Sequence, residues 1–495
     1  MVRRVVLALI TAAICGAGAA PAVAAQTLSP KEIAALSGWY RRTAERTRRG
    51  EWGVAVGTMD GRVLWSMSPE LALIPASTAK VFTTGFTRSR VGGTSRLVTR
   101  VVGDGALDPM SGRWRGSWAL ELVGDWTLDR SGRGGPTLRE LAQRLRARGV
   151  RELEGPLTLT SRSGPATSQY PRVWAADFEG QLYAPPVGPV ALHENTISLT
   201  YRPGREAGAP PILVSAYPDG VDRMVRMAAT TVSGSGARLR LVPAADGGWT
   251  LEGTIGLYRR TAGFSAVAHD PSRLLATVWS AALDRAGIRW SLPGGPIVAA
   301  PRATAVLAQV ESAPFDSVAT EVNRRSLNIG AELMLQWGAG SQTTGPSLVT
   351  EHVRRVVGPS ARVSLVDGSG LSDLNRISPL TQMLYLARYP QLPGNQQFPL
   401  LLPANGTGTL RRLRGGMGRG VVHAKTGTLD NAATLAGYLG RPDGVLVISL
   451  MYNGRRIGQA RAAEWDFFRL LGAEGVDLRG RLETQMGGAS VPRDE

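Results

Sequence analysis

Lysine is rare in this sequence, and two of its lysines lie where an amine could act on a hydroxyl or a carboxylate. Of 57 basic residues, only Lys31, Lys80 and Lys425 are lysines, and the others are arginines. An arginine stays protonated in proteins, whereas its surroundings can lower the pKa of a lysine until the neutral amine accepts a proton. Lys31 lies close to an apolar N-terminal segment, and we assign it no role. The sequence around each of the other two lysines contains candidate catalytic or binding residues.

Lys80 closes the first candidate motif, Ser77-Thr78-Ala79-Lys80. Pro75 precedes the motif and apolar residues follow it, which predicts that a helix begins here. A serine and a lysine three positions apart share one face of a helix, so the Lys80 amine could take the proton of the Ser77 hydroxyl. The free N–H groups at a helix N-terminus also favour negative charge, which suits an oxyanion. A four-residue match of this kind is weak evidence alone.

Lys425 opens the second candidate motif, Lys425-Thr426-Gly427-Thr428, in a predicted strand over residues 421–428. Gly427 would let a substrate backbone lie close against this strand, because glycine has no side chain. Lys425 and the hydroxyl groups of Thr426 and Thr428 would offer charge and hydrogen-bond donors to a carboxylate. The motif therefore predicts a carboxylate-binding strand, although it too is short.

A third motif, Ser326-Leu327-Asn328, separates predicted helices over residues 315–325 and 329–337. From a turn between two helices, a serine and an asparagine can both point into a cleft. The Ser326 hydroxyl could relay a proton, and the Asn328 side chain could hold an amide of the substrate. Each motif is weak alone, but the order S-x-x-K, S-x-N, K-T-G is a strong signal.

The three motifs together are the signature of penicillin-binding proteins and serine β-lactamases. The sequence resembles the low-molecular-mass class C penicillin-binding proteins, the D-alanyl-D-alanine carboxypeptidase/endopeptidase family. Ser326 lies 249 positions after Ser77, which matches the large insertion that marks this class, and Lys425 lies 99 positions after Ser326. Further matches are the segments 322–332, 366–372 and 405–410. One departure is Leu327, where many relatives carry aspartate.

The resemblance implies acyl transfer through a covalent serine ester. It implies Ser77 as the nucleophile, Lys80 as the base and Ser326 as the proton relay to the leaving amine. The other site residues implied are Asn328 at a substrate amide, Lys425 as an electrostatic group, Thr426 and Thr428 at the terminal carboxylate, Gly427 beside the substrate, and the N–H groups of Ser77 and Thr428 as the oxyanion hole. No metal or organic cofactor is implied.

By the same resemblance, we expect a serine-type D-alanyl-D-alanine carboxypeptidase that acts on peptidoglycan stem peptides and that β-lactam antibiotics inhibit covalently. The same site could cut a D,D-peptide cross-link, because that bond also follows a D-alanine. Two alternatives stay open, a β-lactamase and a non-catalytic wall-binding protein of the same fold. No glutamate-bearing loop lies at the spacing of class A β-lactamases, and the three intact motifs argue against a non-catalytic protein.

The charge and the N-terminus predict an exported protein. The chain of 495 residues carries a formal net charge of +18, which suits peripheral contact with an anionic wall polymer or membrane surface. No helix-turn-helix, zinc-finger or RNA-binding signature accompanies the charge, so we expect no nucleic-acid partner. Residues 1–24 are typical of a signal peptide and contain the single cysteine, Cys15. We therefore expect a protein of the periplasm or the outer face of the cytoplasmic membrane, soluble or peripheral.

Hydrophobic patterns predict the elements that must hold the motifs. Strands are predicted at 51–56, 62–67, 434–439 and 445–452, and a helix at 458–471. These segments predict an α+β protein in which helices flank an antiparallel sheet. The resemblance implies that this arrangement is the penicillin-binding-protein/serine β-lactamase transpeptidase fold. A large, mainly β insertion is predicted to interrupt it.

The same patterns divide the chain into parts. These are the signal peptide at 1–24, the first part of the transpeptidase domain at 26–97, the inserted region at 98–310, the second part of the transpeptidase domain at 311–484 and a polar tail at 485–495. We expect the inserted region to form two subdomains, of which the central one, at about 165–265, is all-β. Short strands are expected at the start of the region, and helices at 138–148 and 272–286.

Two other groups of residues could in principle form sites. The four histidines, His193, His269, His352 and His423, are dispersed without a metal-ligand pattern, so we expect structural roles for them. Gly368 and Gly370 do not open a phosphate-binding helix, and we expect them to shape a loop at the rim of the cleft. Neither group predicts a metal or nucleotide site.

Overall fold

The computed structural model describes residues 26–130, 134–162, 165–291, 298–299, 305–341, 343–413 and 417–485. The predicted signal peptide lies outside the described residues, as does the predicted tail beyond residue 485. The helices are α1 (Pro30–Arg46), α2 (Lys80–Val91), α3 (Leu138–Ala147), α4 (Pro271–Ala286), α5 (Phe315–Arg325), α6 (Asn328–Ala339), α7 (Gly345–Val357), α8 (Pro379–Arg388), α9 (Ile457–Gly472) and α10 (Leu478–Gln485). None of the helices in these ranges combines the length and the apolar character that a membrane crossing requires.

The strands lie on both sides of the inserted region and within it. They are β1 (Glu51–Thr58), β2 (Val63–Met67), β3 (Val98–Leu107), β4 (Arg113–Leu122), β5 (Glu152–Leu153), β6 (Thr158–Ser161), β7 (Thr196–Arg202), β8 (Ile212–Tyr217), β9 (Val225–Met227), β10 (Thr230–Val232), β11 (Ala237–Pro243), β12 (Trp249–Gly256), β13 (Ala262–Val267), β14 (Arg289–Trp290), β15 (Val298–Ala299), β16 (Ala305–Glu311), β17 (Val363–Ser364), β18 (Arg376–Ile377), β19 (Val422–Leu429), β20 (Ala432–Arg441) and β21 (Gly444–Asn453).

A five-stranded sheet carries residues 425–428 on its edge strand, β19. Its strand order is β19-β20-β21-β1-β2, and every neighbouring pair is antiparallel. Side chains alternate between the two faces of a strand. Val54 and Val56 therefore pack with α1 and α9, whereas Ala55 packs with α2 and α8. Helices cover both faces, so the predicted α+β arrangement of an antiparallel sheet flanked by helices is confirmed.

The helices predicted around the serine motifs are present, with two differences where they begin. A short 3-10 turn, Ala76–Ala79, precedes α2, so that Ser77 lies in this turn rather than in the α-helix. The helix after Ser326 begins at Asn328, one residue before its predicted start. Ser326 ends α5 with a left-handed φ of 60°, and the chain re-enters a helix after a single extended residue. Hydrophobic spacing does not reveal such a tight junction.

The described residues of the predicted inserted region form three sheets. The ten-residue strands β3 and β4 belong to a seven-stranded sheet of order β14-β5-β4-β3-β16, which β6 and β15 extend. The expectation of short strands at its start was therefore wrong. Gly105 and Gly116 weaken the strand pattern in the sequence, because glycine is unfavourable within a strand. In the structure these two glycines pair with each other across β3 and β4, so both strands continue through them. Residues 165–265, where described, contain β7 to β13 in two smaller sheets and no α-helix. The boundaries at 98 and 310 stay a prediction.

A hydrophobic cluster joins the inserted region to α5 and α6, the two helices on either side of Ser326. Trp126 and Trp174 from the inserted region pack with Val322 of α5 and Ile329 of α6. All four side chains are buried. The inserted region therefore supports the turn that presents Ser326.

Candidate active site

Ser77 and Lys80 lie within hydrogen-bonding distance of each other. Lys80 Nζ is 2.9 Å from Ser77 Oγ, as their spacing predicted. Ala76, immediately before the serine, has a left-handed φ of 46°. Such a backbone conformation costs energy for a residue with a side chain, and it is frequent at functional sites. The arrangement suits transfer of the serine proton to the lysine.

The Lys80 amine is fully buried, and two further acceptors hold it. Nζ donates to Asn328 Oδ1 and to the carbonyl oxygen of Ser369, both at 2.6 Å. Burial lowers the pKa of Lys80 to about 7, while the carboxylates of Asp367 and Glu332 oppose this shift. Near neutral pH, a lysine with this pKa is neutral in a large fraction of molecules and can act as a base.

Lys425 and Ser326 form a second lysine–serine pair. Lys425 Nζ donates to Ser326 Oγ at 2.8 Å and to the carbonyl oxygen of Thr426 at 2.7 Å. Burial lowers the pKa of Lys425 well below its ordinary value, and the positive charges of Lys80 and Arg461 lower it further. The two buried amines therefore do not both carry a full positive charge at neutral pH.

Asn328 links Lys80 to the inserted region. While Oδ1 of Asn328 accepts from Lys80, Nδ2 donates to the carbonyl oxygen of Tyr183 at 2.9 Å. Tyr183 belongs to the inserted region, and its side chain is 48% exposed. No local pattern distinguishes Tyr183 in the sequence, because only the tertiary fold brings it to the site. The contact predicted between Asn328 and a substrate amide stays a prediction.

Gly427 lets β19 approach the turn that carries Ser77. A Cβ atom at this position would lie 2.7 Å from the carbonyl oxygen of Pro75 and 2.8 Å from the nitrogen of Ser77. Both neighbours are backbone atoms, so a side chain here would force the strand and the turn apart. The structure thus gives this glycine a role within the protein. Its predicted contact with a substrate backbone stays a prediction.

The loop over residues 367–372 is buried against Lys80, so the prediction that Gly368 and Gly370 shape the rim of the cleft was wrong. The Glu332 carboxylate accepts the N–H of Gly368 at 3.0 and 3.1 Å and the next N–H along the chain at 2.8 Å. A Cβ at Gly370, whose φ is 74°, would lie 1.9 Å from the carbonyl oxygen of Ala76. The glycines therefore allow the loop to pack directly beneath the serine turn.

Arg461 of α9 lies beside the threonines of the lysine strand. Thr426 and Thr428 are two residues apart on β19, so they share one face, and both line a cleft with Arg461. Arg461 donates to Thr428 Oγ1 at 2.8 Å and to the carbonyl oxygen of Thr434 at 3.0 Å. Its guanidinium lies 5.5 Å from the centre of the Trp465 ring, within cation–π range. Sequence reasoning missed Arg461, because one arginine among many on an amphipathic helix gives no local signal.

His423 lies two residues before Lys425 on β19 but does not contact either lysine–serine pair. Its Nδ1 is 3.0 Å from the carbonyl oxygen of Leu402, and burial lowers its pKa. Across the ranges that the structure describes, no group of histidine, cysteine and acidic side chains could hold a metal ion.

Comparison with known proteins places this site in a family. The profile of the D-Ala-D-Ala carboxypeptidase 3 (S13) family matches residues 40–466, most of the chain. The chain belongs to this family. It is 27% identical over 428 residues to a D-alanyl-D-alanine carboxypeptidase from Actinomadura sp. (strain R39), covering 81% of this chain and 77% of that protein. It is 26% identical over 463 residues to Carboxypeptidase DacB from Mycolicibacterium smegmatis, covering 88% and 84% respectively.

A solved structure shows the same fold. Penicillin binding protein 4 from Haemophilus influenzae superposes with a TM-score of 0.68 at 19% identity, covering 87% of this chain and 98% of that chain. The transpeptidase fold predicted from the sequence is therefore confirmed. Membership of the family makes the chain a serine peptidase of the D-Ala-D-Ala carboxypeptidase type, which confirms the predicted family and enzyme class.

Proposed function

We propose that the chain hydrolyses the D-Ala-D-Ala bond of peptidoglycan stem peptides through a covalent ester on Ser77, and that β-lactams acylate the same residue. One observation carries this proposal. Lys80 Nζ lies 2.9 Å from Ser77 Oγ, in surroundings where burial lowers the pKa of the lysine to about 7. A nucleophile with an adjacent base of matched pKa is the basic requirement for acyl transfer.

In the first step, neutral Lys80 takes the proton of Ser77 while Oγ forms a bond to the carbonyl carbon of the penultimate D-alanine. The carbonyl electrons move to oxygen, and the N–H groups of Ser77 and Thr428 bind the oxyanion. Loss of one such donor typically lowers the rate by about 10²–10³-fold. The close approach of Gly427 to the Ser77 nitrogen supports this pairing of N–H groups from the turn and the strand.

In the second step, the carbon–nitrogen bond breaks and the leaving nitrogen receives a proton. Ser326 Oγ supplies this proton and regains one from Lys425, which lies 2.8 Å away. Because Lys80 has gained the proton of Ser77, the two lysines keep one positive charge between them. Water then attacks the ester, one proton passes through Ser326 to Lys425, and Lys80 returns a proton to Ser77.

The terminal carboxylate of the substrate favours the starting state in which Lys425 is protonated and Lys80 is neutral. When Thr426 and Thr428 hold the carboxylate beside Lys425, its negative charge favours the protonated form of that lysine. The positive charge on Lys425 in turn favours the neutral, basic form of Lys80. Asn328 orients an amide in the acyl half of the substrate. Peptides that lack a free terminal carboxylate should therefore react slowly.

Cleavage of a D,D-peptide cross-link is a second candidate activity. It is the same reaction with a larger leaving group, and it needs space beyond the carboxylate-binding threonines. A cleft of about 590 Å³ lined by Thr426 and Thr428 offers such space. This observation favours endopeptidase activity alongside carboxypeptidase activity.

Labelling with a fluorescent penicillin and measurement of D-alanine release test the proposal together. We expect Ser77→Ala to abolish both signals while the protein stays folded, because the change removes only one hydroxyl group from the short turn before α2. Ser235→Ala, at an exposed position in the inserted region, is the matched control and should keep both. Covalent labelling that survives in Ser77→Ala would contradict the assignment of the nucleophile.

The same assays separate the two alternatives. A β-lactamase would turn over a chromogenic cephalosporin rapidly without releasing D-alanine from a stem peptide. A non-catalytic wall-binding protein would show neither penicillin labelling nor hydrolysis. We expect slow loss of the penicillin label together with D-alanine release.

Export belongs to the same proposal, because the substrate lies outside the cytoplasmic membrane. The predicted signal peptide at residues 1–24 supports export, and the net charge of +18 supports peripheral contact with anionic wall or membrane surfaces. Fusion of residues 1–30 to a reporter that is active only outside the cytoplasm tests this prediction.

A further inference from the structure

A strongly basic cleft begins at the carboxylate-binding threonines. Five arginines line it, together with Trp465, Thr426 and Thr428, and no aspartate or glutamate appears among its described lining residues. We call this cleft, of about 590 Å³, the basic cleft. Its arginines are Arg324, Arg325, Arg411, Arg412 and Arg461.

Three of these arginines lack an acidic partner within the described part of the chain. Arg324, Arg411 and Arg412 are exposed and form no ion pair with any residue that the structure describes. Arg325 is paired with Glu194 and Glu321, and Arg461 is paired with Glu464, so those two have structural contacts. Guanidinium groups bind carboxylates in a planar, two-pronged geometry. The basic cleft therefore offers three exposed guanidinium groups that can bind an anion.

A second cavity, of about 470 Å³, is lined by Ser326 and Asn328, and its charges are arranged differently. Its arginines, Arg130 and Arg325, both contact the carboxylates of Glu194 and Glu321. Asn328, which the proposed mechanism places at the acyl half of the substrate, lines this cavity. The protein neutralises the charge on the acyl side and leaves it unneutralised on the side of the leaving group.

The threonines determine which part of a substrate would reach the basic cleft. In the proposed reaction, Thr426 and Thr428 hold the carboxylate of the amino acid that leaves. Arg461, fixed to Thr428 and stacked on Trp465, forms the wall next to that carboxylate. Any group that extends the leaving amino acid beyond D-alanine would therefore lie among the arginines.

We infer that the basic cleft binds a second carboxylate on the leaving side of the substrate, so that the enzyme prefers acidic leaving groups over neutral ones of equal size. The inference rests on the proposed function and deepens it. The reaction is unchanged, since the bond from the acyl carbon to the leaving nitrogen still breaks and that nitrogen still takes the proton from Ser326. The substrate class is cross-linked peptides whose departing strand carries further carboxylates.

Three synthetic peptides with one common acyl half test the inference. Their leaving amino acids are D-alanine, D-glutamate and D-glutamine; the last two have the same size and differ in charge. We expect kcat/KM for the D-glutamate peptide to exceed that for the D-glutamine peptide by about 3- to 10-fold, as one or two exposed ion pairs would give. The preference should shrink as salt rises.

The double variant Arg411→Gln, Arg412→Gln should bring the ratio of the two kcat/KM values to about one. Arg41→Gln, Arg42→Gln alters two adjacent exposed arginines of α1 that do not line the cleft, and it should keep the wild-type ratio. Because each ratio is taken within one protein, a change in the amount of active enzyme does not affect it. Penicillin labelling confirms that each variant is folded.

The outcomes separate this inference from the proposed function. A wild-type ratio near one, with normal release of D-alanine, would overturn the inference and leave the proposed function standing. If the double variant leaves the ratio unchanged, the inference is also overturned. This holds even if the variant binds whole wall polymer less well, because that result would mean that the cleft binds the polymer and not the leaving group. Failure to hydrolyse all three peptides would overturn the proposed function and the inference together.

Discussion

The two lysine–serine pairs have nearly the same geometry but different surroundings. The distance from Nζ to Oγ is 2.9 Å at Lys80 and 2.8 Å at Lys425, and both amines are fully buried. The carboxylates of Asp367 and Glu332 raise the pKa of Lys80 against the effect of burial. The charges that act on Lys425 are positive, those of Lys80 and Arg461, and they lower its pKa further.

This difference indicates which lysine takes a proton and which gives one. Lys80 can hold the proton that it receives from Ser77, because two carboxylates stabilise its ammonium form. Lys425 gives up its proton readily, because burial and two positive neighbours destabilise its ammonium form. A lysine beside a serine can therefore act as a base in one pair, Lys80 with Ser77, and as a proton donor in the other, Lys425 with Ser326. Four experiments test this comparison.

Lys80→Arg should have the largest effect. The guanidinium keeps the positive charge but accepts no proton at ordinary pH, so we expect penicillin acylation to fall by about 10³-fold or more. Lys31→Arg, at an exposed position of α1, is the matched control and should acylate normally. Stopped-flow acylation rates measure the effect, and thermal unfolding shows that the variant is folded. Acylation close to the wild-type rate would exclude Lys80 as the base.

Lys425→Arg should also be damaging, though less so. Arginine keeps a charge near the substrate carboxylate, but it cannot pass a proton to Ser326. Because the site is fully buried, a larger side chain must also displace its neighbours. We expect kcat/KM for D-alanine release to fall by about 10²-fold. The Lys31→Arg protein again gives the reference. A loss of threefold or less would show that Lys425 acts through its charge alone, and the contrast between the pairs would fail.

The acylation rate should depend on pH through the protonation of Lys80. Since burial lowers the pKa of Lys80 to about 7, the neutral base dominates above that pH and the ammonium form below it. We expect the second-order rate constant for penicillin acylation to rise about tenfold per pH unit below pH 7 and to level off above it. A rate that is flat from pH 5 to 9 would contradict a base with this pKa.

The sequence was sufficient to predict the contact between Ser77 and Lys80 and the presence of all four residues in one site, but not the hydrogen bond between Lys425 and Ser326 or the difference between the two pairs. Each motif can be recognised from the short-range spacing of its residues on a helix, turn or strand. The order of the three motifs then predicted that Ser77, Lys80, Ser326 and Lys425 lie in one site. The groups that distinguish the two lysines come from distant segments and carry no local signal. Glu332 and Asp367 act on one lysine, and Arg461 acts on the other. Such effects depend on tertiary packing.

Glu332→Gln should have the smallest effect and the most specific one. Glutamine keeps one oxygen to accept the N–H groups of Gly368 and Ser369, but it removes a negative charge that raises the pKa of Lys80. We therefore expect the midpoint of the acylation profile to move to lower pH, by about 0.5–1 unit. Burial and Asp367 raise the pKa of Glu332 itself, which reduces its negative charge toward the midpoint and keeps the shift small.

Glu351→Gln, at an exposed position of α7, is the matched control for Glu332→Gln and should leave the midpoint where it is. Above pH 8, where Lys80 is already neutral, the rate of the Glu332 variant should stay within about fivefold of wild type. A purely structural role predicts another pattern, since a distorted loop would lower the rate equally at every pH. An unmoved midpoint with a uniformly lower rate would mean that Glu332 only shapes the loop, and that burial and Asp367 set the pKa of Lys80 without it.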